Sequence, residues 1–204
     1  MTRVAAVILA GGRGERLGGV IKANLQVGGR RLLDRVAERL AAADNLLVAH
    51  GPIPADLLDL APGQIGIPDL ATDYAGPLAG LAAALDWAAR QQDPPDLLVL
   101  APVDTPFLPP DDLSRLVGAL DIAPAAIASA AGQPYPTSSA WRRDALRGLL
   151  DDIHAGTAPQ SLKRLAERLG AATIAFPPHR GGDPFANANT PQDLLALEHR
   201  AAIA

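Results

Sequence analysis

Apolar runs of strand length alternate along the chain with longer stretches whose apolar residues recur at helical spacing. That alternation predicts a mostly parallel sheet with helices on both faces, an α/β, Rossmann-like three-layer sandwich. Residues 3–9 read as a first buried strand that runs directly into glycines. Leu32, Leu33, Val36 and Leu40 share one stripe of a helix over 31–43, and short strands follow at 45–49 and 64–67. A helix is expected over 78–90, after Pro77, and the run at 96–101 is the most continuous buried strand. Pro109-Pro110 opens another helix, because a first-turn proline loses no hydrogen bond. The second half is less regular. It predicts a strand at 124–129, an extended segment at 132–139, helices at 142–152 and 161–169, and an extended run at 172–176. Thr190-Pro191-Gln192-Asp193 then caps a last helix ending near Arg200. No internal repeat or linker interrupts this order, so residues 1–204 read as a single domain.

Composition narrows the function. A hydrophobic share of 49% with 20% charged residues describes a folding chain, and a net charge of −4 argues against a broad basic surface for nucleic acid. With no cysteine, neither disulfides nor a thiolate zinc site can form, which fits a cytoplasmic location. The apolar run after Arg3 is too short for a membrane span, and its passage into glycines fits a strand better than a signal peptide.

The chemistry begins in the loop after the first strand. Leu9-Ala10-Gly11-Gly12-Arg13-Gly14-Glu15-Arg16-Leu17-Gly18-Gly19 holds five glycines, whose backbone can bring successive N–H groups onto one anion. Within residues 1–31 six basic side chains, including Arg13, Arg16 and Lys22, face the single acid Glu15. A phosphate site is the reading this contrast favours, against a flexible turn with solvated arginines. The spacing matches neither a P-loop, since Val20-Ile21 follow Gly19, nor a dinucleotide fingerprint, since Leu17 stands where its third glycine belongs.

Asp104 follows the run at 96–101, and ligands of open parallel sheets gather at the carboxyl ends of strands, where the glycines also emerge. Its carboxylate suits magnesium; read alone, it fits a turn cap before Pro106 equally well. Asp69 lies in a polar loop leading to Gly76 and Gly80, where a base amine or ribose has room; solvated loop acids and helix-packing glycines remain the competing reading. Asn187 and Asn189, one residue apart, either bind a ligand or bond their own loop. The four histidines show no ligand spacing.

Taken in order, Leu9-Ala10-Gly11-Gly12, Gly18-Gly19, Lys22, Gly76-Pro77-Leu78-Ala79-Gly80, Asp104-Thr105-Pro106-Phe107-Leu108-Pro109 and Phe185-Ala186-Asn187-Ala188-Asn189-Thr190-Pro191 resemble the molybdenum cofactor guanylyltransferases over nearly the whole chain. The resemblance implies a nucleotide-diphospho-sugar transferase-like fold and transfer of GMP from GTP, with Mg2+, to molybdopterin carrying molybdenum, with release of pyrophosphate. By position it puts Leu9, Ala10, Gly11, Gly12 and Gly76 along the nucleotide, Lys22 and Arg16 on its phosphates, Asp69 on guanine or ribose and Asp104 on the metal. Asn187 and Asn189 then lie toward the pterin. It further implies acceptor molybdoenzymes as partners. Ile21 and Ala49-His50 depart from the family pattern, which usually has an acid before the lysine and an asparagine ending the second strand. A related transferase using CTP or a sugar phosphate, and a nucleotide-binding paralogue without turnover, remain compatible with the same residues.

Overall fold

A computed structural model of the chain describes residues 2–70, 74, 76–179 and 181–203. Residues 71–73 and 75, in the loop between Asp69 and Gly76, and the Arg13 side chain lie outside the described residues. In chain order, β1 (Val4–Leu9) is followed by two small ribbons, β2 (Arg13–Gly14) with β3 (Val20–Ile21) and β4 (Gln26–Val27) with β5 (Arg30–Arg31). Then come α1 (Leu32–Arg39), β6 (Asn45–Ala49), β7 (Gln64–Ile67), α2 (Pro77–Ala89), β8 (Leu97–Pro102), α3 (Asp112–Ala119), β9 (Ala125–Ala130) and β10 (Gln133–Arg142). The chain closes with α4 (Leu149–His154), α5 (Leu162–Leu169), β11 (Ala172–Phe176) and α6 (Pro191–Ala202).

Seven strands form one sheet in the order β11-β9-β10-β8-β1-β6-β7, and only β10 runs against its neighbours. The reason is legible in β1, which carries no polar side chain because both faces are covered. Ala6 and Ile8 pack into a cluster with Leu33, Val36 and Leu116 of α1 and α3, while Ala5 and Val7 pack with Leu81, Ile153 and Leu165 of α2, α4 and α5. The result is helix, sheet, helix. It bears out the expected α/β architecture with a mostly parallel sheet. No helix among the described residues is long and apolar enough to cross a membrane.

Several boundaries differ from expectation for local reasons. α1 stops at Arg39 rather than 43, because the chain must turn into β6: Asp44 N–H bonds Val4 O at 2.9 Å, and Asp44 Oδ2 accepts Val4 N–H at 2.8 Å. α3 begins at Asp112 rather than at Pro109, whose carbonyl accepts the Asp112 N–H at 3.2 Å in a preceding turn. The expected helix over 142–152 is split: Arg142 ends β10, a 3-10 turn covers Arg143–Leu146, and Gly148 at φ +79° breaks the path before α4. The expected extended segment at 132–139 is the start of β10, an inserted central strand.

Candidate functional site

β1 and β8 pair in parallel with Leu9 opposite Pro102, so the glycine loop and the segment carrying Asp104 leave the sheet side by side. Val103 N–H donates to Leu9 O at 3.1 Å and holds the two exits together. The chain from Gly12 folds up into the β2–β3 ribbon and returns through a 3-10 turn, Lys22–Asn24, which brings Lys22 back over the sheet edge. There Lys22 Nζ donates to Asp104 Oδ2 at 2.7 Å and also to Asn189 Oδ1. Three distant segments thus meet at one half-buried ammonium. Asn189 is itself fixed: its N–H and that of Thr190 donate to Asp193 Oδ2 at 3.1 and 2.8 Å, closing the capping box of α6. Ala188 N–H bonds Asp104 O at 3.0 Å, tying this segment to the end of β8.

The meeting point lies in a cavity of about 480 Å³ running across the carboxyl ends of the parallel strands. Leu9, Gly11, Gly12, Lys22, Asp69, Gly76, Asp104 and Asn187 line it, so the structure gathers these eight of the expected residues in one place. Toward β7 the wall is built around close backbone packing. A Cβ on Gly11 would fall 3.1 Å from Gly51 N and Cα, and one on Gly51, at φ +57°, would lie 3.2 Å from Asp69 Oδ2. Glycines at both positions let the loops after β1 and β6 stack directly and bring the Asp69 carboxylate to the cavity. Burial pushes the Asp69 carboxyl above its usual value, partly opposed by the charge of neighbouring His50, whose buried Nδ1 has no partner among the described residues. Gly80 serves packing as well as space: a Cβ there would meet Leu9 Cδ2 at 2.5 Å, so glycine lets α2 sit on the ends of β1 and β6.

Three expected residues are placed otherwise. Ala10 is fully buried, with its N–H on Ala49 O at 2.8 Å, and its side chain belongs to the core. Arg16 is exposed in the turn of the β2–β3 ribbon, which lifts it off the sheet edge into a separate shallow cleft with Leu25, Pro191 and Leu194. Asn189 bonds Lys22 instead of lining the cavity beside Asn187: residues 186–189 form no strand, so the shared face that an extended chain gives to residues two apart is lost.

Tyr135, Thr137 and Ser138, which the sequence did not single out, complete the β10 end beside Phe185 of the segment before α6. Tyr135 donates to Asp183 Oδ2 at 2.5 Å, and burial, then that carboxylate, push its phenol up to about 12. Its ring lies 4.9 Å from that of Phe185, centre to centre. Nothing in the local pattern marked the three β10 positions, since their role depends on β10 being inserted antiparallel beside β8.

The donor set is oxygen only. Asp104 Oδ2 takes Lys22, while Oδ1 accepts no hydrogen bond among the described residues, and no cluster of three or more His, Cys, Asp or Glu side chains among them can cage a metal. A lone carboxylate suits a hard cation that draws its other ligands from phosphate and water. Asp112, in the same connection, is a different kind of acid. It is buried with both oxygens unpartnered among the described residues, and burial, then Asp111, push it up to about 7 against a partial opposing effect of Arg115.

The chain matches the MobA-like NTP transferase domain over residues 6–175. It is 39% identical over 201 residues to a molybdenum cofactor guanylyltransferase of Rhodopseudomonas palustris, covering 95% of this chain and 90% of that one. A molybdenum cofactor guanylyltransferase of Cereibacter sphaeroides is 39% identical over 198 residues, covering 96% of each chain. Among solved structures, the molybdopterin-guanine dinucleotide biosynthesis protein A of Archaeoglobus fulgidus superposes with a TM-score of 0.72 at 26% identity, covering 98% of this chain and 100% of that one. A cytidylyltransferase of Thermus thermophilus, at 22% identity and a TM-score of 0.65, shares the fold. Agreement of sequence and fold over nearly the full length places the chain in the family of MobA-like NTP transferases.

Proposed function

We propose that this protein transfers GMP from GTP to molybdenum-loaded molybdopterin and releases pyrophosphate. The observation that carries the reading is the Lys22–Asp104 contact, 2.7 Å long, set between the glycine loop and the Asn187 segment in one cavity. Backbone amides at Gly11 and Gly12 and the Lys22 ammonium supply positive potential for a triphosphate, and Asp69 accepts hydrogens from guanine or ribose at the far wall. Asp104 would hold a magnesium ion, which when bound would neutralise phosphate charge. A phosphate oxygen of the acceptor forms the new bond to the α-phosphorus as the bond to the β-phosphate oxygen breaks, and the electron pair leaves with pyrophosphate. No protein nucleophile is required, so positioning and charge carry the rate. Lys22 exchanges Asp104 for phosphate oxygens as the nucleotide enters. The guanylyltransferase relatives support GTP over other nucleotides, and the same reading implies a cytoplasmic enzyme delivering product to molybdoenzymes.

Thermal shift with magnesium and GTP, CTP, UTP or ATP tests nucleotide choice. GTP is expected to give the largest stabilisation, about 2.7 kcal/mol at a hundredfold excess over its Kd. Larger stabilisation by another nucleotide rejects the guanylyl assignment.

A further inference from the structure

Between Tyr135 and Ser139 the strand β10 departs from its ladder. Tyr135 pairs with Ala128 and Ser139 with the adjoining Ile127, so Pro136, Thr137 and Ser138 have no partner on β9. Pairing with β8 begins only at Ser139, opposite Leu100. Bulges of this kind redirect side chains, and Pro136, which has no N–H to give, suits a stretch that leaves the ladder. The bulge lies beside the carboxyl end of β8, next to the Asp104 segment, and both Thr137 and Ser138 line the cavity. The Thr137 hydroxyl is half-buried and makes no hydrogen bond among the described residues. Ser138 is fully buried with its Oγ likewise unpartnered, so the bulge is held at the cavity without satisfying its own hydroxyls.

Position in the sheet gives this end its role. From β7, whose loop carries Asp69, to β10 is four strand steps, roughly 19 Å at the usual spacing, with Lys22 and Asp104 between. With a base at Asp69 and the reacting phosphate at Asp104, the second substrate enters from β10. There Tyr135, its ring backed by the buried Phe185, offers an aromatic face to a flat heterocycle, and Thr137 offers a free donor to its phosphate.

We propose that Thr137, presented by the β10 bulge, hydrogen-bonds the phosphorylated acceptor and sets the affinity for it. The inference rests on the guanylyl-transfer reading, and Thr137 takes no proton and forms no bond in the reaction. The test is steady-state pyrophosphate release by the full chain with GTP, magnesium and the molybdenum-loaded pterin, comparing wild type, Thr137→Val and Thr137→Ser. Thr137→Val is expected to raise the acceptor KM about tenfold, as loss of one hydrogen bond to a charged group does, with kcat and the GTP KM within about twofold. Thr137→Ser, which keeps the hydroxyl, is expected to restore the acceptor KM. An unchanged acceptor KM in Thr137→Val, or a raised GTP KM, overturns the assignment of Thr137 alone. Absence of pyrophosphate release by the wild type overturns the parent reading, and the acceptor role with it.

Discussion

At the β7 end of the cavity the wall is organised by close glycine packing: Gly11 lies against Gly51, and Gly51 against the Asp69 carboxylate. At the β10 end it is made by side chains, Tyr135, Thr137 and Phe185, on an antiparallel strand and the segment before α6. Backbone packing of the first kind favours glycine at fixed places, since a Cβ there crowds atoms that must shift to admit it. A side-chain wall can change its chemistry residue by residue without moving the sheet. Under the proposed function, the contrast would let one sheet edge hold a nucleotide through fixed glycines while the acceptor side changes residue by residue.

The largest expected effect falls where the two ends meet. Lys22→Ala removes the ammonium shared by Asp104 and Asn189. GTP affinity is expected to fall about 10- to 100-fold, the loss of one hydrogen bond between charged groups, with a smaller fall for GMP. Equal losses for both nucleotides in a titration contradict a contact with the outer phosphates.

Next comes the glycine stack. Gly11→Ala puts a Cβ 3.1 Å from the Gly51 backbone, which cannot swing aside as a side chain would. A stability loss of about 1–3 kcal/mol is expected in denaturant unfolding. Gly12→Ala meets nothing within 4 Å and should change stability by no more than about 0.5 kcal/mol. If the two variants prove equally stable, the backbone account of the β7 end fails.

The smallest effect is a pH dependence at Asp69. Its ionised carboxylate accepts hydrogens from a base or ribose through both oxygens and more strongly than the protonated acid, and burial raises its pKa. GTP affinity should therefore decline as pH falls, starting above the ordinary carboxylate range and reaching about tenfold per pH unit only below its pKa. In Asp69→Asn the affinity should be weaker and flat over the same interval. An unaltered pH profile in that variant removes Asp69 from the nucleotide.

How far the sequence could be read follows the same division. The parallel strands were legible because each is short, apolar and bounded by polar turns: the ranges 45–49, 64–67 and 172–176 coincide with β6, β7 and β11. The cavity residues supplied by loops after parallel strands were legible too, since Gly11, Gly12, Asp69 and Asp104 follow strands that all point one way. The β10 end was not. Two prolines and a three-residue bulge hide the strand's period, and its antiparallel insertion between β8 and β9 depends on long-range pairing. Arg16 is the reverse case: a basic residue near glycines reads as a phosphate ligand, whereas the structure holds it exposed at the β2–β3 ribbon, lining a different cleft from the one Asp104 lines.

The central claim is that loop amides after β1 and the acid after β8 grip one triphosphate through magnesium. It is tested most directly by the GTP dissociation constant of wild type and Asp104→Ala, each measured with magnesium and with a chelator. The account predicts that chelation weakens GTP binding to the wild type by about 5- to 150-fold, the usual range of coupling between two ligands, and leaves the Asp104→Ala value nearly unmoved. A variant that loses affinity on chelation as steeply as the wild type would contradict it.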